Sequence, residues 1–333
     1  MLKIGVFVIG FGLIGAGLIG QRRANCIASL DKLIAVHDLN LANSRLAAEA
    51  NNAESVMDYR EILNNPDIGA VCVATTHDSL ARLGMEVLKS GKHLLLEKPG
   101  GIDLTELIAI RDLSRSTSKI VRVGYNHRYH PSIIKLKQIL TESDHGGIIY
   151  LRARYGHGGR LGYEKEWRMN KSISGGGELI DQGSHLIDLS NFLVGRSNLV
   201  FADLNTFFWT SDVEDNAFLL LQNNSGVKSY LHVSCTEWKN LFSLEVYCRK
   251  SKFEITGLGG SYGVERLTEY LMAPKMGPPK QIDHEFPGQD ISWALETEEF
   301  INEVTSEKLI STSIDDAIST FSVIISAYNW ENK

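Results

Sequence analysis

The sequence has few cysteines and no large excess of charge of either sign. Its 333 residues include four cysteines, with no CxxC spacing, no Cys/His cluster and no HExxH motif. Cysteines this sparse exclude a disulfide framework and the common zinc sites, so we expect no metal and reduced thiols in a cytoplasmic protein. The net charge of −6 offers no basic surface for nucleic acid, so a small-molecule partner is the expectation.

Long apolar runs are also scarce, and only one raises the question of a membrane span. The uncharged stretch from Ile4 to Gln21 reaches the roughly 18 residues that a spanning helix needs. It contains six glycines, which disfavour a helix, and no small-residue cleavage site, and a strand-like run ending in an acid, LIAVHD, soon follows. We therefore predict a chain without a membrane segment.

Short apolar runs alternate with helical patterns over residues 1–123. Strand patterns such as IGAVCVATT and HLLLEKP are followed by helical ones such as SLARLGMEVLKSG and TELIAIRDLSRST. Runs as continuously apolar as VCVA and LLL are typical of parallel strands covered on both faces. The pattern predicts an α/β domain, a Rossmann-type doubly wound parallel sheet, over residues 1–123.

The pattern changes over residues 124–333. After a predicted helix, PSIIKLKQIL, strand patterns follow one another with only turn residues between them, as in NAFLLLQ, GVKSYLHVS, FSLEVYC and KFEITG. The stretch APKMGPPK predicts a loop, and WALETEEFINEV and IDDAISTFSVIISAYNW predict two helices. We expect an α+β C-terminal domain with a large open antiparallel sheet that binds substrate and supports oligomerisation.

Two overlapping glycine patterns lie in the run VFVIGFGLIGAGLIG. The spacing GxGxxG fits at Gly10, Gly12 and Gly15, and again at Gly15, Gly17 and Gly20. Such a pattern between a strand and a helix is typical of the turn that holds a dinucleotide pyrophosphate. The first register puts two glycines inside the helix, at about 1 kcal/mol each relative to Ala, so local physics favours the second. The number of residues between the last glycine and the acid that ends the next strand, Asp38, is compatible with both registers.

Asp38 closes the next predicted strand. An acid at this position can accept hydrogen bonds from the adenosine ribose hydroxyls, and no adjacent arginine is present to meet a 2′-phosphate. Asp38 therefore favours NAD over NADP. The alternative, compatible with this one, is that Asp38 caps the helix that begins near Leu41.

Two further motifs place polar residues where a cleft is expected. EKP stands at a strand end, where the side chain of Lys98 would face the cleft. In GGGELIDQGSHLIDL, residues 175–189, the side chains of Asp181, His185 and Asp188 follow at i, i+4 and i+7, which places them on one helical face. The surrounding apolar residues indicate a partly buried Asp–His pair, an environment that tunes histidine for proton transfer.

EKP, VGYNHRYHP and GGGELIDQGSHLID, in this order behind a Rossmann turn, resemble the Gfo/Idh/MocA family of NAD(P)-dependent sugar and cyclitol dehydrogenases. The resemblance spans nearly the whole chain. It implies a catalytic set of Lys98, Asp181 and His185, with His185 as general base, Lys98 donating a hydrogen bond to the reacting oxygen, and Asp181 orienting the substrate or the histidine. It also implies a cis Lys98–Pro99 bond.

The resemblance favours the second glycine register. Family members have His or Arg three residues after the last glycine, often followed by Ala, and in this register those positions are Arg23 and Ala24. Where relatives often read TPxxxH, this chain has Thr75 to Leu80 without the proline and the later histidine. The expected cofactor contacts are Gly15, Gly17, Leu18, Ile19, Gly20, Asp38, Ala74, Thr75, Thr76, His77, Glu97, Lys98 and Asn126.

Substrate contacts are expected from the segment HGGRLGYEKEWR, residues 157–168. An indole suits the apolar face of a sugar, and guanidinium groups suit hydroxyls, carboxylates or phosphates, which points to Arg160, Trp167 and Arg168. A solvated charged loop is the alternative. If both arginines face the cleft, an acidic or nucleotide-linked sugar becomes plausible.

Two other functions are compatible with the same motifs. One is a ketosugar reductase that uses NADPH, against which Asp38 argues, and the other is a non-catalytic NAD-binding sensor or regulator, against which the retained Lys98, Asp181 and His185 argue. The leading prediction is an NAD-dependent dehydrogenase for a secondary hydroxyl of a sugar, sugar acid, cyclitol or nucleotide sugar. The resemblance also implies a homodimer or homotetramer.

Overall fold

The computed structural model describes residues 8–306, 308 and 314–330. It divides into two compact units: residues up to Tyr125 together with Trp293–Ile318, and Asn126–Ser292 together with the residues from Ser319 onward. The predicted boundary, after residue 123, lies close to the point where the chain first passes from one unit to the other, between Tyr125 and Asn126. The prediction differs in assigning all later residues to the second domain, whereas Trp293–Ile318 belongs to the first unit.

The first unit contains a parallel sheet of six strands in the order β3-β2-β1-β4-β5-β6. This is the strand order of a dinucleotide-binding Rossmann fold, so the predicted fold is confirmed. The strands are β1 Phe11–Ile14, β2 Leu33–His37, β3 Glu54–Ser55, β4 Ala70–Val73, β5 His93–Glu97 and β6 Val121–Gly124. The helices that follow them are α1 Leu18–Leu30, α2 Leu41–Ala50, α3 Tyr59–Asn64, α4 His77–Lys89 and α5 Leu104–Thr117.

The second unit contains an eight-stranded sheet in the order β14-β13-β12-β11-β7-β10-β9-β8. Its strands are β7 Ile148–Gly156, β8 Ser197–Asn205, β9 Asn216–Asn223, β10 Lys228–Ser234, β11 Leu241–Cys248, β12 Ser251–Thr256, β13 Glu265–Leu271 and β14 Lys280–Phe286. The prediction of a large antiparallel sheet is confirmed with one exception, because β7 and β10 pair in parallel. Strands β7, β13 and β14 were not predicted.

The remaining helices are α6 Pro131–Glu142, α7 Lys171–Ser174, α8 Ser184–Val194, α9 Ser292–Ser306 and α10 Ile314–Tyr328. Alternate residues of β11 and β12 are buried, so one face of the large sheet is packed and the other is more accessible. Helices α6 and α8 both contact strands of this sheet. Helix α8 is positioned by the sheet, and it carries His185.

The N-terminal apolar run does not form one continuous helix in the described residues. It contains the strand β1, a turn, and the start of α1 at Leu18. Within the part of the chain that the structure describes, no helix is both long and apolar enough to cross a membrane. Residues 1–7, of which residues 4–7 belong to the same apolar run, lie outside the described residues.

A buried ionic cluster in the first unit centres on Arg23 of α1. Its Nε donates to Oε1 of Glu97 at 2.7 Å, and its Nη2 lies 2.7 Å from Oε2 of Glu296 in α9. The guanidinium also lies 4.5 Å from the ring centroid of Trp293. Burial alone would lower the pKa of Arg23, but the charges of Glu97 and Glu296 outweigh it and raise that pKa, so the side chain stays cationic.

Helix α9 makes a second ionic contact with the same unit. Nη2 of the fully buried Arg122 lies 2.7 Å from Oε1 of Glu303, and Phe300 packs edge-on against Phe11 with ring centroids 6.2 Å apart. These charges and rings match partners on β1, α1 and β6. They explain why α9, though distant in sequence, belongs to the Rossmann unit and not to the domain that precedes it.

We predict that Arg23→Met lowers the free energy of unfolding by about 3–5 kcal/mol, because it leaves buried carboxylates without their cation. The control is Arg152→Met, which removes an arginine whose side chain is 56% exposed and paired with Glu245, and should cost about 1 kcal/mol or less. Urea unfolding followed by circular dichroism measures both. Equal losses in the two variants would contradict the assigned role of Arg23.

Candidate active site

The turn between β1 and α1 uses the second glycine register. The strand ends at Ile14, Gly15 has a φ of +93°, Gly17 is the N-cap of α1, and Gly20 lies in the first turns of that helix. The order strand, Gly15, Gly17, helix is the one that the GxGxxG fingerprint requires. The first pattern has a packing explanation instead, since a Cβ at Gly12 would lie 2.2 Å from Cγ2 of Ile62.

The three glycines of the turn are needed for different reasons. A Cβ on Gly15 would lie 2.5 Å from the carbonyl oxygen of Ala74, and one on Gly20 would lie 2.0 Å from the carbonyl oxygen of Gly15. Those two glycines therefore permit close packing within the protein. A Cβ on Gly17 would meet nothing within 4 Å. Internal packing does not explain Gly17, but the approach of a ligand to the backbone would.

Asp38 is half-buried just beyond β2, beside this turn. Its Oδ2 accepts a hydrogen bond from the amide of Ala16 at 2.6 Å, and its Oδ1 accepts one from the amide of Asn40 at 2.7 Å. The N-cap of α2 is Asn40, whose side chain accepts from the amide of Ala42. The capping role considered for Asp38 is thus taken by Asn40, and Asp38 holds the glycine turn.

The segment after β4 borders the same turn. Ala74 and Thr75 surround Gly15, and α4 begins at His77, with Thr76 as its N-cap. The Ser79 hydroxyl donates to Oγ1 of Thr75 at 2.7 Å. The predicted cofactor contacts of this segment therefore lie beside the predicted glycine contacts.

The EKP motif lies at the end of β5, as predicted, and its Lys98–Pro99 bond is cis. Lys98 is half-buried and belongs to the first unit. Glu97 was predicted to contact the cofactor, but its Oε1 accepts from Arg23, as described above. That carboxylate is engaged in a buried ion pair, and the contact of Glu97 with the cofactor stays a prediction.

The helix predicted from GGGELIDQGSHLIDL is not a regular α-helix throughout. Leu179–Gly183 forms one π-helical turn, and α8 begins at Ser184. Asp181 lies in the π turn, whereas His185 and Asp188 lie in α8. The π turn changes the angular spacing between Asp181 and His185 from that of the regular α-helix assumed in the prediction. All three are nevertheless buried.

Each of these three residues has its own partner in the second unit. Oδ2 of Asp181 accepts from Nε of Arg168 at 3.0 Å. The His185 ring stacks on that of His127, with centroids 3.7 Å apart and planes 21° apart. Asp188 receives two hydrogen bonds from one guanidinium, Nε of Arg128 at 2.7 Å and Nη2 at 2.6 Å.

The sequence analysis did not assign roles to His127 and Arg128, although both lie in the quoted motif VGYNHRYHP. Asn126 in the same motif was predicted to contact the cofactor. Its buried amide nitrogen donates to Oγ of Ser292 at 2.8 Å. That amide nitrogen is used within the second unit.

The predicted substrate residues lie in a loop where positive and negative charges alternate. Arg160 pairs with Glu166 at 2.7 Å, and Arg168 pairs with Asp181 and lies over the ring of Trp167, 4.5 Å from its centroid. Burial alone would lower the pKa of Arg168, but the charge of Asp181 raises it. Both guanidinium groups are thus paired with carboxylates of the protein.

A further polar cluster, which the sequence analysis did not identify, lies next to Asp181. Tyr163 donates to Oε1 of the buried Glu178 at 3.3 Å, and Nε2 of His157 lies 3.4 Å from the same oxygen. Burial alone would lower the pKa of His157, but its hydrogen bond to Glu178 and the charge of that residue raise it. Among the described residues, no group of His, Cys, Asp and Glu could hold a metal ion.

Comparison with known proteins identifies both parts of the chain. Residues 9–125 match the family model described as oxidoreductase family, NAD-binding Rossmann fold, and residues 133–254 match the GFO/IDH/MocA C-terminal domain. The inositol 2-dehydrogenase of Gluconacetobacter diazotrophicus is 29% identical over 153 residues, 44% of this chain and 45% of that protein. The chain thus matches just under half the length of that relative.

Two other comparisons extend over most of the chain. The glucose-6-phosphate 3-dehydrogenase of Bacillus subtilis is 26% identical over 297 residues, 85% of this chain and 84% of that protein. The crystal structure of a levoglucosan dehydrogenase in complex with NADH superposes with a TM-score of 0.86 and 20% identity, covering 97% of this chain and 98% of the other, and so shows the same fold. With both family models matched in order, this chain belongs to the Gfo/Idh/MocA family of oxidoreductases.

Proposed function

We propose that the protein is an NAD-dependent dehydrogenase that oxidises a secondary hydroxyl group of a sugar or cyclitol. The observation that carries the cofactor assignment is the open space over Gly17, beside a turn that Asp38 fixes. The family description of the Rossmann unit and the named activities of the relatives support it. Asp38 favours NAD because its carboxylate would repel a 2′-phosphate.

NAD, when bound, accepts the hydride of the alcohol carbon at its nicotinamide ring. The chain supplies the proton handling. His185 takes the hydroxyl proton as general base, for which an imidazole is suited near neutral pH. Lys98 donates a hydrogen bond to the same oxygen and stabilises its developing negative charge. Asp181, paired with Arg168, orients the substrate or the histidine.

We expect NADH formation with at least one neutral sugar or cyclitol, and a loss of kcat of roughly 10²- to 10⁴-fold in His185→Ala, because the general base is gone. Absorbance at the NADH band over a panel of sugars and cyclitols measures this, with NAD affinity determined separately by calorimetry. Tight NAD binding without turnover of any polyol would indicate the sensor function. Turnover only of a keto sugar with NADPH would indicate the reductase.

The glycine turn allows cofactor binding to be separated from folding. Gly17→Ala places a methyl group in open space at a φ of −65°, which any residue adopts, so the midpoint of thermal unfolding should not change. NAD affinity should fall about tenfold or more, because the methyl group blocks the approach of the pyrophosphate. A tenfold loss corresponds to about 1.4 kcal/mol of binding free energy.

Gly20→Ala is the matched variant, and in contrast to Gly17→Ala it should lower the stability of the fold itself. Its methyl group collides with backbone at Gly15, so the variant should unfold at lower temperature even without NAD. Thermal melts with and without NAD measure both variants. Unchanged NAD affinity in Gly17→Ala would place the pyrophosphate elsewhere.

The paired arginines predict a preference for uncharged substrates. A phosphate or carboxylate that approached Arg160 or Arg168 would meet the negative charges of Glu166 or Asp181, and Glu178 adds a further buried carboxylate nearby. We expect kcat/KM to be at least about tenfold higher for a neutral sugar than for its 6-phosphate or uronate. The outcome that contradicts this is a preference for the 6-phosphate, as in the relative named for glucose 6-phosphate.

A further inference from the structure

Two adjacent residues of the second unit contact α8 one helical turn apart. They belong to a short 3₁₀ helix, Asn126–Tyr129. His127 stacks on His185, and Arg128 binds the carboxylate of Asp188 through two hydrogen bonds. A bidentate guanidinium–carboxylate pair fixes both distance and orientation. Together these contacts hold the segment of α8 that carries His185 at two points.

A chain of hydrogen bonds fixes the orientation of His127. The Ser292 hydroxyl donates to Oδ1 of Asp290 at 2.6 Å, so its oxygen is the acceptor for the amide nitrogen of Asn126 at 2.8 Å. The carbonyl oxygen of the Asn126 side chain is thereby turned toward Nδ1 of His127, at 3.3 Å. An amide oxygen only accepts, so Nδ1 of His127 carries a proton.

We infer that His127 is a positioning residue for the general base His185, an inference that rests on the proposed function. The stacked rings fix the plane of the His185 imidazole, and a base must keep that plane to remove a proton along a defined direction. The His127 ring also presents its π face to the imidazolium that His185 becomes, which stabilises that cation.

The other groups that face this pair are part of the same packing. Tyr155 lies 6.2 Å from the His185 ring and 5.1 Å from the His127 ring, both edge-on, and burial raises its pKa well above the usual value, so it stays neutral. His130 lies edge-on to His127 at 5.4 Å, and its Nδ1 bonds to Glu265. His127 is thus held on several sides, and its stacked face is the one toward His185.

The test compares His127→Phe, which keeps a flat ring, with His127→Leu, which fills the space without one. We expect kcat to fall roughly 10- to 100-fold in the Leu variant with KM for both substrates changed less than about twofold, because positioning of the base acts on the chemical step. The Phe variant should recover kcat to within about fivefold of the unmodified protein. A recovery by Phe is not expected of a residue that only fills volume.

A stack on the less buried face of β10 provides the control. His232 of β10 stacks on Phe218 with centroids 4.2 Å apart and planes 6° apart, and His232→Leu should leave kcat unchanged. NMR of ¹⁵N-histidine-labelled protein gives a readout that needs no turnover. The His185 ring signals should move in His127→Leu and stay near their original positions in His127→Phe.

The possible outcomes separate the two proposals. Lack of turnover by the unmodified protein overturns the proposed function, and the role of His127 with it. If the unmodified protein turns over and His185→Ala does not, equal kcat values in His127→Leu and the unmodified protein overturn the inference alone. Equal losses in the Leu and Phe variants also overturn it, because the flat ring would then have no part in the effect.

Discussion

The buried guanidinium of Arg23 is the interaction on which the cofactor-binding unit depends. It joins helix α1, which begins at the glycine turn, to the end of β5, where Glu97 immediately precedes Lys98, and to Glu296 of α9. One cation thus connects the turn proposed to hold the pyrophosphate with the residue proposed to stabilise the reacting oxygen. A charge without access to water must keep its partners, so these elements are fixed together.

The second unit uses a comparable ion pair for its own site. Arg128 and Asp188 are both buried, and their bidentate geometry holds α8 next to the turn that carries His127. Arg168 does the same for Asp181 on the loop side. Charged residues near the proposed catalytic pair therefore bind one another.

Much of the fold could be predicted from the sequence, because strand and helix periodicity is strong in the Rossmann unit. The helix LANSRLAAEA occupies the predicted residues, Leu41–Ala50. Strand β7 was missed although Arg152 and Arg154 alternate with its buried residues, which is the pattern of a half-buried strand. The π turn at Asp181 and the return of α9 to the first unit depend on contacts between residues far apart in sequence, which periodicity does not report.

The sequence was a better guide to which residues lie in the candidate site than to the partners that those residues contact. Gly15, Gly17 and Gly20 could be chosen over the first register because the cost of glycine inside a helix is local. The hydrogen-bond partners of Glu97, Asn126 and Arg168 could not be predicted from the sequence, since a carboxylate, an amide or a guanidinium suits a ligand and an internal hydrogen bond equally well. Only coordinates distinguish the two uses.

The membership of α9 in the first unit has a consequence for synthesis on the ribosome. A nascent chain that has emerged only as far as Tyr125 contains Arg23 and Glu97 but lacks Glu296, Trp293 and Phe300. The pocket around the guanidinium is then open to water and its second carboxylate is missing. The first unit therefore reaches its final packing only after residues 126–292 of the second unit have been translated.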